Sequence, residues 1–181
     1  MKYGLENAQM IDASHVFLDQ TNPRHEPYED QDEVIAYLCR EEQVLPLAKD
    51  IAKIGLNPLE LFALVPEGEG SYISAEGNRR LCAIKLLNDP DLAPADQRNE
   101  FKKAAASWEP VEKLFAVVIV DREEVRVWLD RIHAGADDGR GRRQWPPVSG
   151  KLSGALFFLY ISGGRDRTMT WDTHRNGRLR C

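Results

Sequence analysis

The stretch Ser71 to Leu87, SYISAEGNRRLCAIKLL, decides the fold of this chain of 181 residues. Its first residues alternate polar and apolar side chains as a short strand does. After a turn at Glu76-Gly77, the apolar residues return with helical spacing. A strand that passes through a glycine directly into a helix points free backbone N–H groups forward, and the helix dipole favours an anion there.

Two consecutive arginines, Arg79 and Arg80, stand at the start of that predicted helix. A guanidinium keeps its charge and offers paired donors that match phosphate oxygens, so one interpretation is a phosphate-binding corner. The alternative is that both arginines are solvated residues of an ordinary amphipathic helix, with Glu76 as a local ion-pair partner. Because the dipole disfavours each cation at a helix N-terminus by ~0.3–1 kcal/mol, two in succession need a partner. The residues alone favour the anion site only slightly.

Two further motifs precede this corner, Asn22-Pro23-Arg24 and Gly55-Leu56-Asn57-Pro58. Together with Glu76-Gly77-Asn78-Arg79-Arg80, in this order and at these spacings, they resemble the N-terminal domain of the ParB/sulfiredoxin superfamily. The resemblance covers residues 16 to 120. It implies an α+β fold, in which a small mixed β-sheet packs with several α-helices. It also implies a nucleotide pocket beside the first and last motifs, with the Gly55-Leu56-Asn57-Pro58 turn near it, where its backbone would help to orient the ligand.

The other elements are predicted from periodicity and from capping residues. Phe115–Val120 is a continuous apolar run that predicts a strand buried on both faces. The remaining predictions are a strand at His15–Leu18, a helix capped by Asp32, a helix ending at Gly55, a strand at Leu59–Val65, a helix at Glu100–Ser107 and a helix that Asp121 caps. Cys39 and Cys82 are expected to be small buried residues of helices.

The charge is uneven along the chain. Residues 1–148 contain 18 Lys and Arg against 27 Asp and Glu, whereas residues 149–181 contain 6 against 2. We therefore predict one domain at 1–148 and a basic C-terminal extension at 149–181, part of it disordered. An acidic body does not bind nucleic acid by bulk electrostatics, so the extension is the candidate contact with DNA, although a solvated tail is the favoured interpretation. No stretch has the pattern of a membrane span or a signal peptide, which predicts a cytoplasmic protein.

The loop from His133 to Trp145 is rich in glycine, acids and arginines, and it is either a solvated linker or a lid over the phosphate corner. As a lid, Arg140 would contact phosphate and Asp137 would hold Mg²⁺. In partition proteins, which belong to the resembled superfamily, this position carries a Glu-Asn-x-x-Arg motif that helps to bind a triphosphate and its metal. Here His133 and the Asp/Gly/Arg loop stand there instead, which leaves a nucleotide site open but puts a CTP-dependent clamp in doubt.

Two departures narrow the resemblance. Sulfiredoxins place a catalytic cysteine immediately before the arginine, where this chain has Asn78. Partition proteins continue into a helix-turn-helix DNA reader and a dimerisation segment, for which too few residues follow Trp145. The chain therefore resembles a stand-alone ParB-like domain.

The function implied is binding of a nucleotide triphosphate, CTP or ATP, with Mg²⁺, in a DNA-associated process such as partition, regulation or defence. DNA and a second copy of the chain are candidate partners. The alternative is an enzyme of the same superfamily, either a nuclease or a nucleotide-dependent serine kinase.

Glu76 is the candidate general base or metal-side carboxylate. Arg24, held on a rigid corner by Pro23, either closes the phosphate site or pairs with the acidic run Glu26, Glu29 and Asp30. The predicted nucleotide-binding residues are Arg24, Gly77, Asn78, Arg79, Arg80, His133 and Arg140, and the predicted metal ligands are Glu76 and Asp137.

Overall fold

Five strands and five α-helices make up residues 7–133, the part of the chain that the computed structural model describes. These residues belong to one unit, Met1–Arg142. The elements in chain order are β1 (Ala8–Asp12), β2 (Val16–Leu18), α1 (Gln31–Glu41), α2 (Val44–Ile54), β3 (Phe62–Gly68), β4 (Ser71–Glu76), α3 (Asn78–Asn88), α4 (Arg98–Ala104), β5 (Lys113–Val118) and α5 (Arg122–His133). One-turn 3₁₀ helices lie at Ala13–His15, Pro90–Leu92 and Ala105–Ser107.

The strands form one mixed sheet in the order β1-β5-β3-β4-β2. β1 pairs with β5, and β3 with β4, in antiparallel fashion, whereas β2 runs parallel to β4 and β3 runs parallel to β5. This confirms the predicted α+β class with a small mixed sheet and several helices. Because β2 and β4 are parallel, with Leu18 opposite Ser74, both strands end at the same edge of the sheet. The start of β3 lies at that edge too, since Ala63 pairs with Glu76.

The sheet is covered on both faces, but unequally. Side chains such as Leu64 and Ala116 point into the main core, which is shared with α1, α2, α3 and α4. The opposite face carries a smaller cluster in which Val125 of α5 packs with Ala75 and Ile119. Since α5 covers only part of this face, Phe115 remains 46% exposed. The prediction that its strand is buried on both faces was therefore wrong.

Several predicted elements are confirmed. α2 ends where Gly55 adopts φ +85° and donates its N–H to the Ile51 carbonyl at 2.8 Å. The strand, turn and helix around Gly77 lie as expected. Asp121 caps α5 by accepting the Glu123 N–H at 2.9 Å.

The boundaries of several other helices and strands differ from the predicted ones. α1 is capped by Asp30, which accepts the Glu33 N–H at 2.9 Å, instead of by Asp32. β3 begins at Phe62 and continues through Pro66, so the predicted strand from Leu59 was placed too early. α4 begins at Arg98 and gives way to a 3₁₀ turn, and β1 was not predicted at all.

The two cysteines of this region behave as expected for buried residues. Cys39 and Cys82 are both buried free thiols. Their mutual hydrogen bond, together with burial, raises the pKa of Cys82 well above its ordinary value. Within residues 7–133, no helix is long and apolar enough to cross a bilayer.

Candidate functional site

Gly77 forms the corner between β4 and α3. Its φ of +100° is a conformation that favours glycine, and a Cβ at this position would lie 2.6 Å from Cδ1 of Phe62. The backbone therefore turns tightly against β3, and α3 begins directly beside the edge where β2 and β4 end. The N–H groups in the first turn of a helix have no acceptor within it, and the first turn of α3 lies at this edge.

A cleft of about 710 Å³ opens at this corner. Its walls come from the ends of β2 and β4, the end of α1, the start of α3 and one face of α5. Among the described residues, five arginines and six carboxylates line it: Arg24, Arg79, Arg80, Arg122 and Arg126, with Asp19, Glu42, Glu60, Glu76, Glu123 and Asp130. The predicted site residues 24, 76–80 and 133 thus all border one cleft, and its charges nearly balance.

Arg80 is held inside the protein. Its guanidinium donates to the carbonyl oxygens of Glu60 at 2.7 Å and Leu61 at 3.3 Å, lies 3.7 Å from a Glu76 oxygen and sits over the Phe62 ring. Its side chain is only 13% exposed. These contacts use much of its donor capacity to tie α3 to β3, so a phosphate contact by Arg80 would compete with them.

Arg79 and Arg24 are more open and meet at the end of α1. Nε of Arg79 donates to the Glu42 carbonyl at 2.7 Å and lies 3.8 Å from Oε2 of Glu42. Nη1 of Arg24 lies 3.8 Å from the same carboxylate oxygen. The side chains of Arg24 and Arg79 are 51% and 41% exposed. Glu42, instead of the acidic run at residues 26–30, is therefore the ion-pair partner of Arg24, and the sequence did not indicate it.

The side chain of Asn78 joins the two parallel strands. Its Oδ1 accepts the Asp19 N–H at 2.9 Å, and its Nδ2 donates to the Ser74 carbonyl at 2.7 Å. This engages the amide at both ends. The predicted contact of Asn78 with phosphate could still be made by its backbone N–H at the start of α3.

Asp19 is a buried carboxylate that the sequence patterns did not single out. It is 3% exposed, accepts the Thr21 N–H at 3.0 Å and the Thr21 hydroxyl at 3.1 Å, and forms an ion pair with Arg122 of α5. Its position directly after β2, in which Val16 and Leu18 are fully buried, was the available signal. Asp19 links the edge of the sheet to α5, which forms one wall of the cleft.

His133 connects Glu76 to Arg24 across the cleft. Its Nε2 lies 3.1 Å from Oε2 of Glu76, and its Nδ1 lies 3.5 Å from Nη2 of Arg24. Because an arginine only donates, the neutral tautomer that satisfies both contacts accepts at Nδ1 and donates from Nε2–H to the carboxylate. The predicted base Glu76 is therefore oriented by a histidine that reaches it from the last residue of α5.

The cleft offers few protein ligands for a magnesium ion. The predicted ligand Asp137, like Arg140, lies outside the described residues. Within residues 7–133, no group of three or more His, Cys, Asp or Glu side chains is arranged to hold a metal ion. Mg²⁺ commonly keeps waters and substrate phosphates and takes only one or two carboxylates. The residues present would therefore fit a Mg²⁺ that arrives on a nucleotide, with Glu76 as a single protein ligand.

An aromatic cluster lies at another part of the cleft wall. His25 packs against Tyr28 and Tyr37, with ring centroids 4.9 Å away in both cases. Desolvation, followed by the nearby charge of Glu42, raises the pKa of Tyr37. His25 had no predicted role, and the structure shows it to be part of this wall.

The sequence matches no known protein-family model and no curated protein. Among solved structures, the chain is similar to the C-terminally truncated chromosome-partitioning protein ParB from Caulobacter crescentus, complexed with CTP-gamma-S. The sequence identity is 14% and the TM-score is 0.38, over 67% of this chain and 49% of that one. The chain thus spans about half the length of that neighbour. A likeness this distant carries no argument about function, and membership of the superfamily stays a prediction.

Proposed function

We propose that the cleft binds a nucleotide through its phosphates. The observation that carries the proposal is the convergence of Arg24 and Arg79, from separate parts of the chain, beside the start of α3. Both guanidinium groups are about half exposed, so a ligand can reach them. The cleft volume of about 710 Å³ lies in the range of small-molecule sites in proteins.

The phosphate contacts divide between side chains and backbone. Arg24 and Arg79 supply charged donors, and the first N–H groups of α3 supply neutral donors aligned with the helix dipole. Gly77 allows the backbone to approach, while Arg80 and Asn78 hold the corner in position through their contacts with β3 and β2. The nucleotide is CTP or ATP with Mg²⁺, as the resemblance to the ParB/sulfiredoxin superfamily implies. A role in partition, regulation or defence rests on the same resemblance.

A second candidate is an enzyme, and the pair formed by Glu76 and His133 favours it. A carboxylate held at 3.1 Å from a histidine beside bound phosphates can accept a proton from an attacking hydroxyl or water. A nuclease or a nucleotide-dependent serine kinase would use this step. Turnover distinguishes these enzymes from a binding module.

Isothermal titration calorimetry with CTP, ATP and ADP, with and without Mg²⁺, tests the binding proposal. Arg79→Ala should weaken binding by about 10- to 100-fold, since hydrogen bonds to a charged group contribute ~1.5–3 kcal/mol. Arg40→Ala is the matched control, because Arg40 is an exposed arginine of α1 paired with Glu41. Absence of binding by the unmodified protein, or equal affinity in the Arg79 and Arg40 variants, would refute the proposal.

The enzyme candidate is tested with the same protein. Product formation is followed with nucleotide alone, with added DNA and with added free serine. Steady turnover that Glu76→Gln abolishes while nucleotide binding persists would identify an enzyme. Saturable binding without turnover under all three conditions would identify a binding module.

A further inference from the structure

We propose that Glu42 is an internal occupant of the phosphate subsite, and that a ligand must displace its carboxylate in order to bind. This inference rests on the proposed function. One oxygen, Oε2 of Glu42, lies 3.8 Å from Nη1 of Arg24 and 3.8 Å from Nε of Arg79. A single anionic oxygen therefore stands between the guanidinium groups of Arg24 and Arg79, where an oxygen of a bound phosphate would lie.

The backbone of Glu42 is fixed while its carboxylate is loosely held. Glu42 caps the C-terminal end of α1, and its N–H donates to the Leu38 carbonyl at 3.0 Å. Its own carbonyl oxygen accepts a hydrogen bond from Nε of Arg79 at 2.7 Å. Both carboxylate distances of 3.8 Å exceed those of a direct hydrogen bond. The side chain can therefore leave by rotation alone, and Arg79 remains attached to the end of α1 when it does.

The position is also electrostatically unfavourable for a carboxylate without these arginines. The C-terminal end of a helix carries partial negative charge, and Glu41 adds another anion beside it. Partly exposed ion pairs of this kind are weak in water. A phosphate group presents three oxygens and up to two charges, so it can contact both guanidinium groups at shorter distances than Glu42 does.

Arg80 shows the contrasting arrangement. Its donors are held at 2.7 and 3.3 Å by the carbonyl oxygens of Glu60 and Leu61, and its side chain is largely buried. A ligand cannot replace those partners without opening the contact between α3 and β3. Arg24 and Arg79, in contrast, share a carboxylate that can leave without opening a contact between elements, so Glu42 sets the affinity of this pair of arginines for anions.

The test compares Glu42→Gln with the unmodified protein. Glutamine keeps the size and the backbone contacts of Glu42 but removes the charge. Its dissociation constants for MgATP, MgCTP and inorganic pyrophosphate, measured by calorimetry, should fall by about 3- to 30-fold, which corresponds to release from two weak ion pairs. Glu123→Gln is the control, because it removes one negative charge from the same cleft, at an exposed carboxylate whose ion-pair partner is Arg126 on the same helix.

The outcomes separate this inference from the proposed function. Tighter binding in Glu42→Gln than in Glu123→Gln supports Glu42 as the occupant. Equal affinities in these two variants, with binding still weakened in Arg79→Ala, overturn the inference and leave the proposed nucleotide site standing. If neither the unmodified protein nor Glu42→Gln binds any of the three probes, the proposed function fails and this inference fails with it. Urea unfolding of each variant verifies that the fold is retained.

Discussion

Replacing Gly77 with alanine should destabilise the protein by two separable effects. The left-handed backbone at φ +100° costs a residue with a Cβ ~1–2 kcal/mol. The added Cβ would also lie 2.6 Å from Cδ1 and 2.9 Å from Cε1 of Phe62, and 3.2 Å from Nη2 of Arg80. Phe62 is 4% exposed and cannot swing away, so relief of this overlap costs a further ~1–3 kcal/mol. We expect a total loss of ~2–5 kcal/mol.

Gly70 provides the matched control. It has φ +73°, and a Cβ there meets nothing within 4 Å, so Gly70→Ala reports the backbone cost alone. Free energies of unfolding are measured by urea denaturation followed by circular dichroism. A double-mutant cycle then combines Gly77→Ala with Phe62→Leu, which removes the ring edge that the Cβ would meet, and we expect the pair to cost less than the sum of the single changes. Equal losses for the Gly77 and Gly70 variants, together with additivity in the cycle, would refute the close approach as the reason for glycine.

Asp19→Asn should lower the free energy of unfolding by ~1–3 kcal/mol, because the buried carboxylate that pairs with Arg122 loses its charge. An unchanged midpoint of urea denaturation would contradict the idea that this ion pair joins the edge of the sheet to α5. Hydrogen bonds from Lys103 and Lys49 lower the pKa of Glu100 from 4.5 to about 2, so the stability that Glu100 contributes is complete above pH 4.5 and lost as the pH falls through the folded pKa. Lys103→Met should therefore raise the pKa of Glu100 in an NMR titration. An unchanged pKa would exclude the hydrogen bond from Lys103 as the main cause of the low value.

The corner at Gly77 could be predicted because its causes are local. Strand alternation, a glycine and helical spacing follow one another within a few residues, and each limits the backbone directly. β1 could not be predicted in the same way, since its partner is β5, with Ala8 opposite Val117. A short strand of mixed polarity is fixed by that distant pairing and carries little signal of its own.

The sequence predicted which residues line the cleft more readily than it predicted what each side chain contacts there. Arg79 and Arg80 are neighbours in sequence, but successive helical residues point about 100° apart. Arg79 consequently reaches Glu42 at the end of α1, whereas Arg80 reaches the carbonyl oxygens before β3. No spacing rule specifies which of two adjacent arginines remains open to the cleft, because that depends on where α1 and β3 lie. The ion pair between Asp19 and Arg122 could not be predicted for the same reason, because the two residues come from opposite ends of the described region.

The charge balance of the cleft limits what can bind there. Each of its five arginines already lies near a carboxylate of the chain, so a bare polyanion meets little net attraction at long range. Recognition of the proposed nucleotide would then depend on short contacts with Arg24, Arg79 and the start of α3. A nucleotide whose phosphates carry Mg²⁺ suits such a cleft better than a free polyphosphate does, since the metal reduces the repulsion by Glu42 and Glu76. A DNA duplex, which depends on many accumulated phosphate contacts, would need a surface other than this cleft.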